Sequence, residues 1–262
     1  MKFPAYLTFR NVLIVAFSLF ALGVWLQLAW WFYVIVFLIA LTISYFGTTQ
    51  IRSNFHVQAF CLSESHPRKE IAISFDDGVS DAKQSNLVLD VLKEYQVPAT
   101  FFCIGKELEQ AAQVEVLKRM DREGHLVGNH SYSHSYVFDF YSSKRVLEEL
   151  HQTDTIIQKH IGKTPLFFRP PYGITNPNIA KALRSTEHST IGWSLRSLDT
   201  VLKEEHALFE RVTKRLKAGD ILLFHDHLEC MPAFLKLFLE YVLKEGYTIV
   251  GVDELLQLKA YQ

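Results

Sequence analysis

The pattern of hydrophobic and polar positions divides the chain into two parts. Between residues 11 and 51 there is no charged side chain, and residues 12–46 are almost continuously apolar. As one helix, this run would be about 50 Å long, whereas the hydrocarbon core of a bilayer is about 30 Å thick. The run is therefore too long for one untilted transmembrane span, and it is also far longer than the apolar region of a signal peptide.

Tryptophans in the middle of this run indicate where it turns. Trp25, Trp30 and Trp31 lie there, and tryptophan prefers the membrane–water interface. We therefore predict a transmembrane helical hairpin with helices over about residues 12–29 and 30–46. The alternatives are a single tilted span preceded by an interfacial segment, and a buried pair of core helices.

The remainder of the chain alternates short apolar runs with amphipathic segments. The apolar runs predict seven strands, at about residues 71–75, 100–104, 126–128, 166–169, 190–193, 221–225 and 248–252. Apolar residues recur at helical spacing in the segments 81–95, 142–160, 204–217 and 232–245. Strict alternation predicts a parallel α/β sheet with helices outside, either an incomplete barrel or a doubly wound sheet.

These patterns suggest three regions. We expect an N-terminal membrane anchor over residues 1–50, a polar linker over 51–68 and an α/β domain over 69–262. The chain carries 27 basic and 28 acidic residues and a formal net charge of −1, so no nucleic-acid partner is expected. The three cysteines are widely spaced and form no C-x-x-C motif, which argues against a disulfide framework or a cysteine metal site.

Chemically reactive residues follow the predicted strands at one end. The groups are Asp76-Asp77 after the first strand, His130 and His134 after the third, Arg169-Pro170-Pro171-Tyr172-Gly173 after the fourth, Trp193 and Asp199 after the fifth, and His225-Asp226 at the sixth. In a parallel sheet these carboxyl ends share one edge, which is where functional groups gather in such folds. Taken singly, the Asp-Asp-Gly sequence could be only a polar turn, and the two histidines could be only structural.

The two histidines have the spacing of metal ligands. A separation of four would stack the imidazoles of His130 and His134 on one face of a helical turn. Together with one aspartate they would provide two nitrogens and one oxygen and leave room for water. Such a set suits zinc, and it also suits non-haem iron.

Four motifs in order resemble those of the NodB-type polysaccharide deacetylases, the fourth carbohydrate esterase family. They are Ser74-Phe75-Asp76-Asp77-Gly78, His130-Ser131-x-x-His134, Arg169-Pro170-Pro171-Tyr172 and Leu223-Phe224-His225-Asp226. The resemblance covers about residues 68–258. It implies a distorted seven-stranded (β/α) barrel of the NodB homology type, and metal-dependent removal of N- or O-acyl groups from sugars.

The resemblance also implies a role for each matching residue. Asp77, His130 and His134 would hold a divalent metal, for which we predict Zn²⁺, and Asp76 would be the general base, held by Arg169. His225, kept protonated by Asp199, would donate a proton to the leaving amine. The backbone N–H of Tyr172 would stabilise the oxyanion, and Leu223 would line the pocket for the acyl methyl group.

One family motif departs from its usual form. The family pattern Asp-x-x-Asp-Trp corresponds here to Arg196-Ser197-Leu198-Asp199-Thr200, so the first acid and the aromatic wall are missing. Trp193 is the candidate replacement for that wall and a predicted substrate-binding residue. The change puts the identity of the substrate in doubt rather than the chemistry.

The sequence therefore favours a membrane-anchored, metal-dependent hydrolase that cleaves a carbon–nitrogen amide bond, removing N-acetyl or other acyl groups from a carbohydrate. One alternative is a deacetylase or deformylase of a polyprenyl-linked sugar at the membrane surface, and another is a catalytically inactive sugar-binding barrel. A non-haem iron oxygenase fits Asp76, Arg169 and His225 less well.

The predicted partners are the acylated carbohydrate and the lipid bilayer, and the predicted location is the cytoplasmic (inner) membrane. Lys2, Arg10 and Arg52 flank the predicted hairpin at its outer ends, so the positive-inside rule favours the cytoplasmic face for the catalytic domain. Relatives that trim cell-wall polysaccharide outside the cell argue for the other face.

Overall fold

The computed structural model describes residues 3–64 and 68–262. Lys2 and residues 65–67 of the predicted linker lie outside the described residues. The helices are α1 (Phe9–Trp25), α2 (Trp30–Thr49), α3 (Ala82–Glu94), α4 (Ala111–Arg122), α5 (Ser143–Ile161), α6 (Pro177–Leu183), α7 (Glu205–Thr213), α8 (Met231–Lys244) and α9 (Val252–Leu256). The strands are β1 (Ala59–Phe60), β2 (Glu70–Gly78), β3 (Thr100–Cys103), β4 (Leu126–Asn129), β5 (Phe167–Phe168), β6 (Ser189–Ile191), β7 (Leu195–Arg196), β8 (Ile221–His225) and β9 (Thr248–Ile249).

The strands form a curled parallel sheet in the order β1-β6-β5-β4-β3-β2-β8-β7, with β9 paired to the beginning of β2. Every ladder between these strands is parallel, which confirms the predicted parallel α/β architecture. Three residues join β6 to β7 and can span only about 10 Å. Because these strands lie near opposite ends of the sheet order, the sheet must curl until its ends approach each other.

The part of the chain that the structure describes contains nine strands where the sequence predicts seven. The two additional strands, β1 and β7, have two residues each, which is too short for an alternating pattern to reveal them. Strand β1 belongs to the segment that the sequence assigns to a linker, and it pairs with β6. This part of the predicted linker is therefore integrated into the sheet.

Alternation along β2 separates core residues from functional ones. Ile71, Ile73 and Phe75 belong to the cluster that packs between the sheet and the outer helices, with Phe224 of β8 among their partners. Successive side chains of a strand point to opposite faces. Ala72 accordingly belongs to a second cluster, inside the curl. Asp76 follows the same alternation and faces the interior of the curled sheet.

Helices α1 and α2 pack against each other at the N-terminus. The rings of Phe20 and Tyr33 lie 4.6 Å apart, and Gly23 leaves no space for a Cβ beside Phe32. The helices extend over residues 9–25 and 30–49, compared with the predicted 12–29 and 30–46. Among the described residues, α2 is the one helix that is long and apolar enough to cross a bilayer. Only 11 % of its most apolar 18-residue stretch is buried against the rest of the protein.

The base of this hairpin is connected to the sheet domain. The N–H of Phe9 donates to the carbonyl of Phe55 at 3.1 Å, and the ring of Phe55 lies so close to Gly47 that no Cβ would fit there. The carbonyl of Thr48, in the last turn of α2, accepts a hydrogen bond from the N–H of Thr175 at 3.1 Å. Thr175 belongs to the loop that follows β5.

Candidate active site

The carboxyl ends of four strands bring the predicted site residues together. Asp76 in β2 is aligned with His225 in β8, and Asn129, the residue before His130, is aligned with Phe168, the residue before Arg169. The site residues predicted from separate parts of the sequence therefore lie at one edge of the sheet.

Several of these residues have a strained backbone. Asp77, Ser131, His134 and Tyr172 have φ angles of 55°, 64°, 44° and 60°, in the left-handed region that non-glycine residues rarely adopt. Each such residue costs about 1–3 kcal/mol, and such strain is concentrated at functional sites. Because of these turns, the neighbouring side chains point in directions that a regular strand or helix would not allow.

Asp77, His130 and His134 form a group that could hold a metal ion. Oδ1 of Asp77 lies 3.7 Å from Nε2 of His130 and 3.4 Å from Nε2 of His134, and the ligand atoms all lie within 4.8 Å of one another. Nδ1 of His130 is 2.7 Å from the carbonyl oxygen of Arg169. A carbonyl only accepts, so Nδ1 carries the proton and Nε2 presents a lone pair to the group. Oδ1 of Asp77 is buried without a hydrogen-bond partner among the described residues.

The predicted helical turn between the two histidines is wrong. Residues 130–137 form bends and turns with no helix, because Ser131 and His134 both have positive φ. The imidazole centroids nevertheless lie 4.8 Å apart. Burial, with a contribution from His130, lowers the pKa of His134 to about 4. His134 is therefore neutral at physiological pH, the form in which an imidazole binds a metal.

Asp76 is held by a buried arginine. Its Oδ1 accepts a hydrogen bond from Nη1 of Arg169 at 2.6 Å, and its Oδ2 lies 3.9 Å from Nε2 of His130. Burial alone would raise the pKa of Asp76, but the positive charge of Arg169, aided by that of His225, lowers it below its usual value. The carboxylate is thus ionised, with one oxygen bound to Arg169 and the other near the metal-ligand group.

His225 is paired with Asp199. Nδ1 of His225 lies 2.9 Å from Oδ1 of Asp199, and the N–H of His225 donates to Oδ2 at 2.8 Å. Burial acts to lower the pKa of His225, but the hydrogen bond and charge of Asp199, aided by Asp76 and Asp77, raise it to about 9. The imidazole is therefore protonated at neutral pH.

The residues predicted to bind substrate surround this centre. The ring of Tyr172 lies 4.9 Å from that of His134, and its N–H has no acceptor among the described parts of the chain. Trp193 lies against Gly173, which has no space for a Cβ, and its ring is 5.6 Å from the guanidinium of Arg169. Leu223 is buried in β8. Arg196 and Thr200, which replace the family's acid and aromatic wall, are both exposed.

Three residues that support the site were given no role from the sequence: Ser74 and Asp226 appear there only within motifs, and Glu149 appears in none. Oγ of Ser74 accepts from Arg169 at 2.9 Å and donates to the carbonyl of Leu222. Glu149 is fully buried, and its Oε2 accepts the N–H groups of Tyr132 and Ser133, which orders the turn between the histidines. Asp226 is also buried, and burial, with the nearby Asp77, raises its pKa to about 7. An acid at helical spacing from the buried Val146, among the core-facing positions of α5, is the sequence signal that could have identified Glu149.

Comparison with known proteins identifies relatives of this chain. The family model described as polysaccharide deacetylase matches residues 63–191. A peptidoglycan-N-acetylglucosamine deacetylase from Bacillus cereus is 34 % identical over 197 residues, which are 73 % of this chain and 90 % of that protein.

Solved structures are also similar. The crystal structure of the Bc1960 peptidoglycan N-acetylglucosamine deacetylase, in complex with 4-naphthalen-1-yl-N-oxidanyl-benzamide, has a TM-score of 0.72 and 27 % identity, and covers 78 % of this chain and 95 % of its own. A family 4 acetyl xylan esterase from Clostridium thermocellum, in complex with a cobalt ion, has a TM-score of 0.65 and 30 % identity, and covers 72 % of this chain and 91 % of its own.

The geometry predicts the effect of removing each candidate ligand. We expect Asp77→Ala, His130→Ala and His134→Ala each to bind less zinc than the unchanged chain, because each removes one of three converging ligand atoms. Elemental analysis after dialysis against buffered zinc measures the occupancy. His206→Ala is the control, because His206 lies in α7, outside the group. Full occupancy in all three variants would show that the metal binds elsewhere.

Proposed function

This chain belongs to the polysaccharide deacetylase family, and from that premise we propose that it is a zinc-dependent hydrolase that removes N-acetyl groups from a carbohydrate. The observation that carries the proposal is the placement of an ionised carboxylate, Asp76, beside the Asp77, His130 and His134 group. A protonated imidazole, that of His225, is aligned with Asp76 on the neighbouring strand.

The donor set fits a divalent metal. Two imidazole nitrogens and one carboxylate oxygen leave coordination positions open for water and substrate, as catalytic zinc sites do. Oδ1 of Asp77 is buried and unpartnered among the described residues, and a cation would satisfy it. When bound, such an ion lowers the pKa of water and polarises an acyl carbonyl. The cobalt ion in the acetyl xylan esterase structure supports a metal in this family.

The chain's own residues would move the protons. Oδ1 of Asp76 is bound to Arg169, so Oδ2 remains available to accept a proton from the attacking water. His225 would donate its proton to the departing amine nitrogen. The electrostatic environments of Asp76 and His225 thus give them opposite charges at neutral pH, as a base and an acid require.

Backbone and apolar groups would position the acyl group. The free N–H of Tyr172 would donate to the oxyanion that forms when the carbonyl is attacked. Its positive φ orients this N–H, and Pro170 and Pro171 before it restrict the loop. Leu223 would contact the acyl methyl group, while Trp193 would contact the sugar.

The relatives suggest an amino sugar as substrate. The Bacillus cereus relative and the Bc1960 structure are both named peptidoglycan N-acetylglucosamine deacetylases, so we propose an N-acetylated amino sugar of a cell-wall glycan. The family motif has an acid and a tryptophan where this chain has the exposed Arg196 and Thr200. We therefore expect the preferred glycan of this chain to differ in length and charge from that of relatives with the usual motif.

A second candidate substrate is a sugar attached to a membrane lipid. The hydrogen bond from Thr175 to Thr48 joins the loop that carries Tyr172 to the end of α2. With the hairpin of α1 and α2 in a bilayer, this loop would lie close to the membrane surface. Tyr136 and Phe140, in the loop after β4, are 90 % and 81 % exposed and would suit an interfacial position.

A substrate panel tests the proposed reaction. The purified full chain in detergent with zinc should release acetate from N-acetylated glucosamine oligomers, with Asp77→Ala as the inactive control. Faster turnover of a polyprenyl-linked N-acetylated or N-formylated sugar would favour the second candidate. Release of no acyl group from any of these substrates would contradict the proposed activity.

The division of work between the two aspartates gives a further prediction. Asp76→Asn should retain zinc but lose turnover by roughly a hundredfold or more, because a positioned base is removed while the metal ligands remain. Zinc content and kcat are measured on the same preparation. A zinc-free Asp76→Asn variant would mean that Asp76 is a ligand rather than the base.

The pairing of His225 with Asp199 predicts a pH dependence. His225 must be protonated to donate, so kcat/KM should fall as the pH rises through its pKa of about 9. Asp199→Asn removes the charge that raises this pKa, and the alkaline decline should therefore begin at lower pH. Asp90→Asn, whose carboxylate pairs with Arg119 on the exposed side of α3, is the control. If the alkaline decline of kcat/KM occurs at the same pH in Asp199→Asn, a group other than His225 causes the decline.

The two helices also predict a membrane topology. If both cross the bilayer, residues 3–8 and the sheet domain lie on the same side, and Arg10 and Arg52 favour the cytoplasm; Lys2 lies outside the described residues. A phosphatase that is active only outside the cytoplasm should be silent when fused after Gln262 and active when fused at Gln27, in the turn between the helices. Strong activity after Gln262 would instead indicate one span and an external catalytic domain.

A further inference from the structure

A cavity of about 480 Å³ lies beside β7, and the proposed catalytic residues do not line it. Its cationic lining residues are Arg52, Arg196, Arg211, Arg215 and Lys217, and we call it the basic cavity. Arg52 comes from the segment after α2, Arg196 from β7, and the other three from α7 and the loop that follows it. Three separate parts of the chain thus place positive charge around one space.

These charges are poorly compensated. Among the described residues that line the basic cavity, Asp220 is the one carboxylate. Its two oxygens already accept the hydroxyl of Ser194 at 2.6 Å and the N–H of Lys217 at 2.7 Å. In residues 3–64 and 68–262, no carboxylate oxygen lies within 4.0 Å of the five cationic groups. A chain with a net charge of −1 therefore concentrates positive charge here.

Backbone carbonyls hold two of the guanidinium groups in place. Nη1 of Arg52 donates to the carbonyl of Ser194 at 3.3 Å, and Nε of Arg211 donates to the carbonyl of Ser197 at 2.7 Å. These acceptors are neutral, so they orient the groups without removing their charge. Burial and the nearby charges of Arg215 and Arg196 lower the pKa of Arg211. The like charges therefore repel one another, and a bound anion would reduce this repulsion.

We propose that the basic cavity binds a phosphate group. Arginine presents a planar fork of N–H donors that matches phosphate oxygens, and the basic cavity is lined by four arginines. Arg52 follows the end of α2 by three residues, so the basic cavity lies next to the base of the hairpin. A phosphate can reach it from two sources: the head group of an anionic phospholipid, or a free phosphate compound in solution.

The test uses two matched double variants of the full chain in non-ionic detergent. Arg215→Gln/Lys217→Gln removes two charges of the basic cavity whose side chains make no hydrogen bond among the described residues. Lys144→Gln/Lys159→Gln removes two exposed charges of α5 and changes the net charge by the same amount. Titration calorimetry measures the binding of inorganic phosphate and of dihexanoyl phosphatidylglycerol, with dihexanoyl phosphatidylcholine as the lipid control.

We expect saturable binding of at least one probe, with a Kd about tenfold or more higher in Arg215→Gln/Lys217→Gln, because charge-assisted hydrogen bonds are lost. Lys144→Gln/Lys159→Gln should bind as the unchanged chain does. Binding of phosphatidylglycerol beyond that of phosphatidylcholine identifies the lipid head group as the source, whereas binding of phosphate alone identifies a free compound.

Two results would overturn the proposal. One is the absence of saturable binding for both probes, and the other is an equal change of Kd in the two double variants, which would reflect total charge rather than the basic cavity. Unaltered unfolding temperatures without ligand show that both variants are folded. Both double variants should release acetate from a soluble N-acetylated oligosaccharide as fast as the unchanged chain does. A failure of the proposed phosphate binding can therefore be distinguished from a failure of the proposed deacetylase activity.

Discussion

The ion pair between Arg169 and Asp76 is the interaction on which the site depends. The guanidinium is completely buried, and a buried charge destabilises a protein unless it is paired and fully hydrogen-bonded. Arg169 meets this requirement through Asp76 and Ser74 in β2, the carbonyls of Ile191 and Gly192 at the end of β6, and the ring of Phe102 in β3, 4.0 Å away. These partners lie on strands that are distant in the sheet order, so Arg169 can reach them all only if the sheet curls around it. Removing the carboxylate partner would leave an uncompensated charge, which links the ionisation of Asp76 to the closure of the fold.

The same region combines a rigid sheet with strained connections. Positive φ occurs at Asp77 near the end of β2, at Ser131 and His134 after β4, and at Tyr172 after β5. Strain of this kind persists only where surrounding contacts fix it. Those contacts are present: Glu149 binds the turn between the histidines, and Asn129 accepts the N–H of Ser131 while donating to Asp154 in α5. The helices behind the sheet therefore determine where the histidine nitrogens point.

The sequence predicted more about the site's composition than about its shape. Long apolar runs revealed β2 and β8 within a few residues, and the position of Asp76, His130, Arg169 and His225 at strand ends followed from the parallel alternation. The local form of residues 130–137 did not follow, because a spacing of four is equally compatible with a helix and with two positive-φ turns. Strands β1 and β7 were too short to produce a pattern.

The roles of Ser74 and Glu149 were not recognised because their partners are distant in sequence. The basic cavity was invisible for a similar reason: net charge sums the chain and does not show that residues 52 and 196–217 meet.

The base of the hairpin and the loop that carries Tyr172 are connected through one backbone hydrogen bond and a few side-chain contacts. The end of α2 binds Thr175, Ile51 packs beside Gly192, and Trp193 lies against Gly173. Arg169 donates to the carbonyl of that same Gly192. A displacement of the hairpin base would thus be transmitted to the residues that hold Asp76 and line the substrate rim, without passing through a flexible linker. With α1 and α2 in a bilayer, as proposed, the membrane surface and the catalytic edge of the sheet would have a fixed relative position. The active site could then reach a glycan only within a limited distance from the membrane surface. A phosphate bound in the basic cavity, to Arg52 at the base of the hairpin, would restrict that distance further.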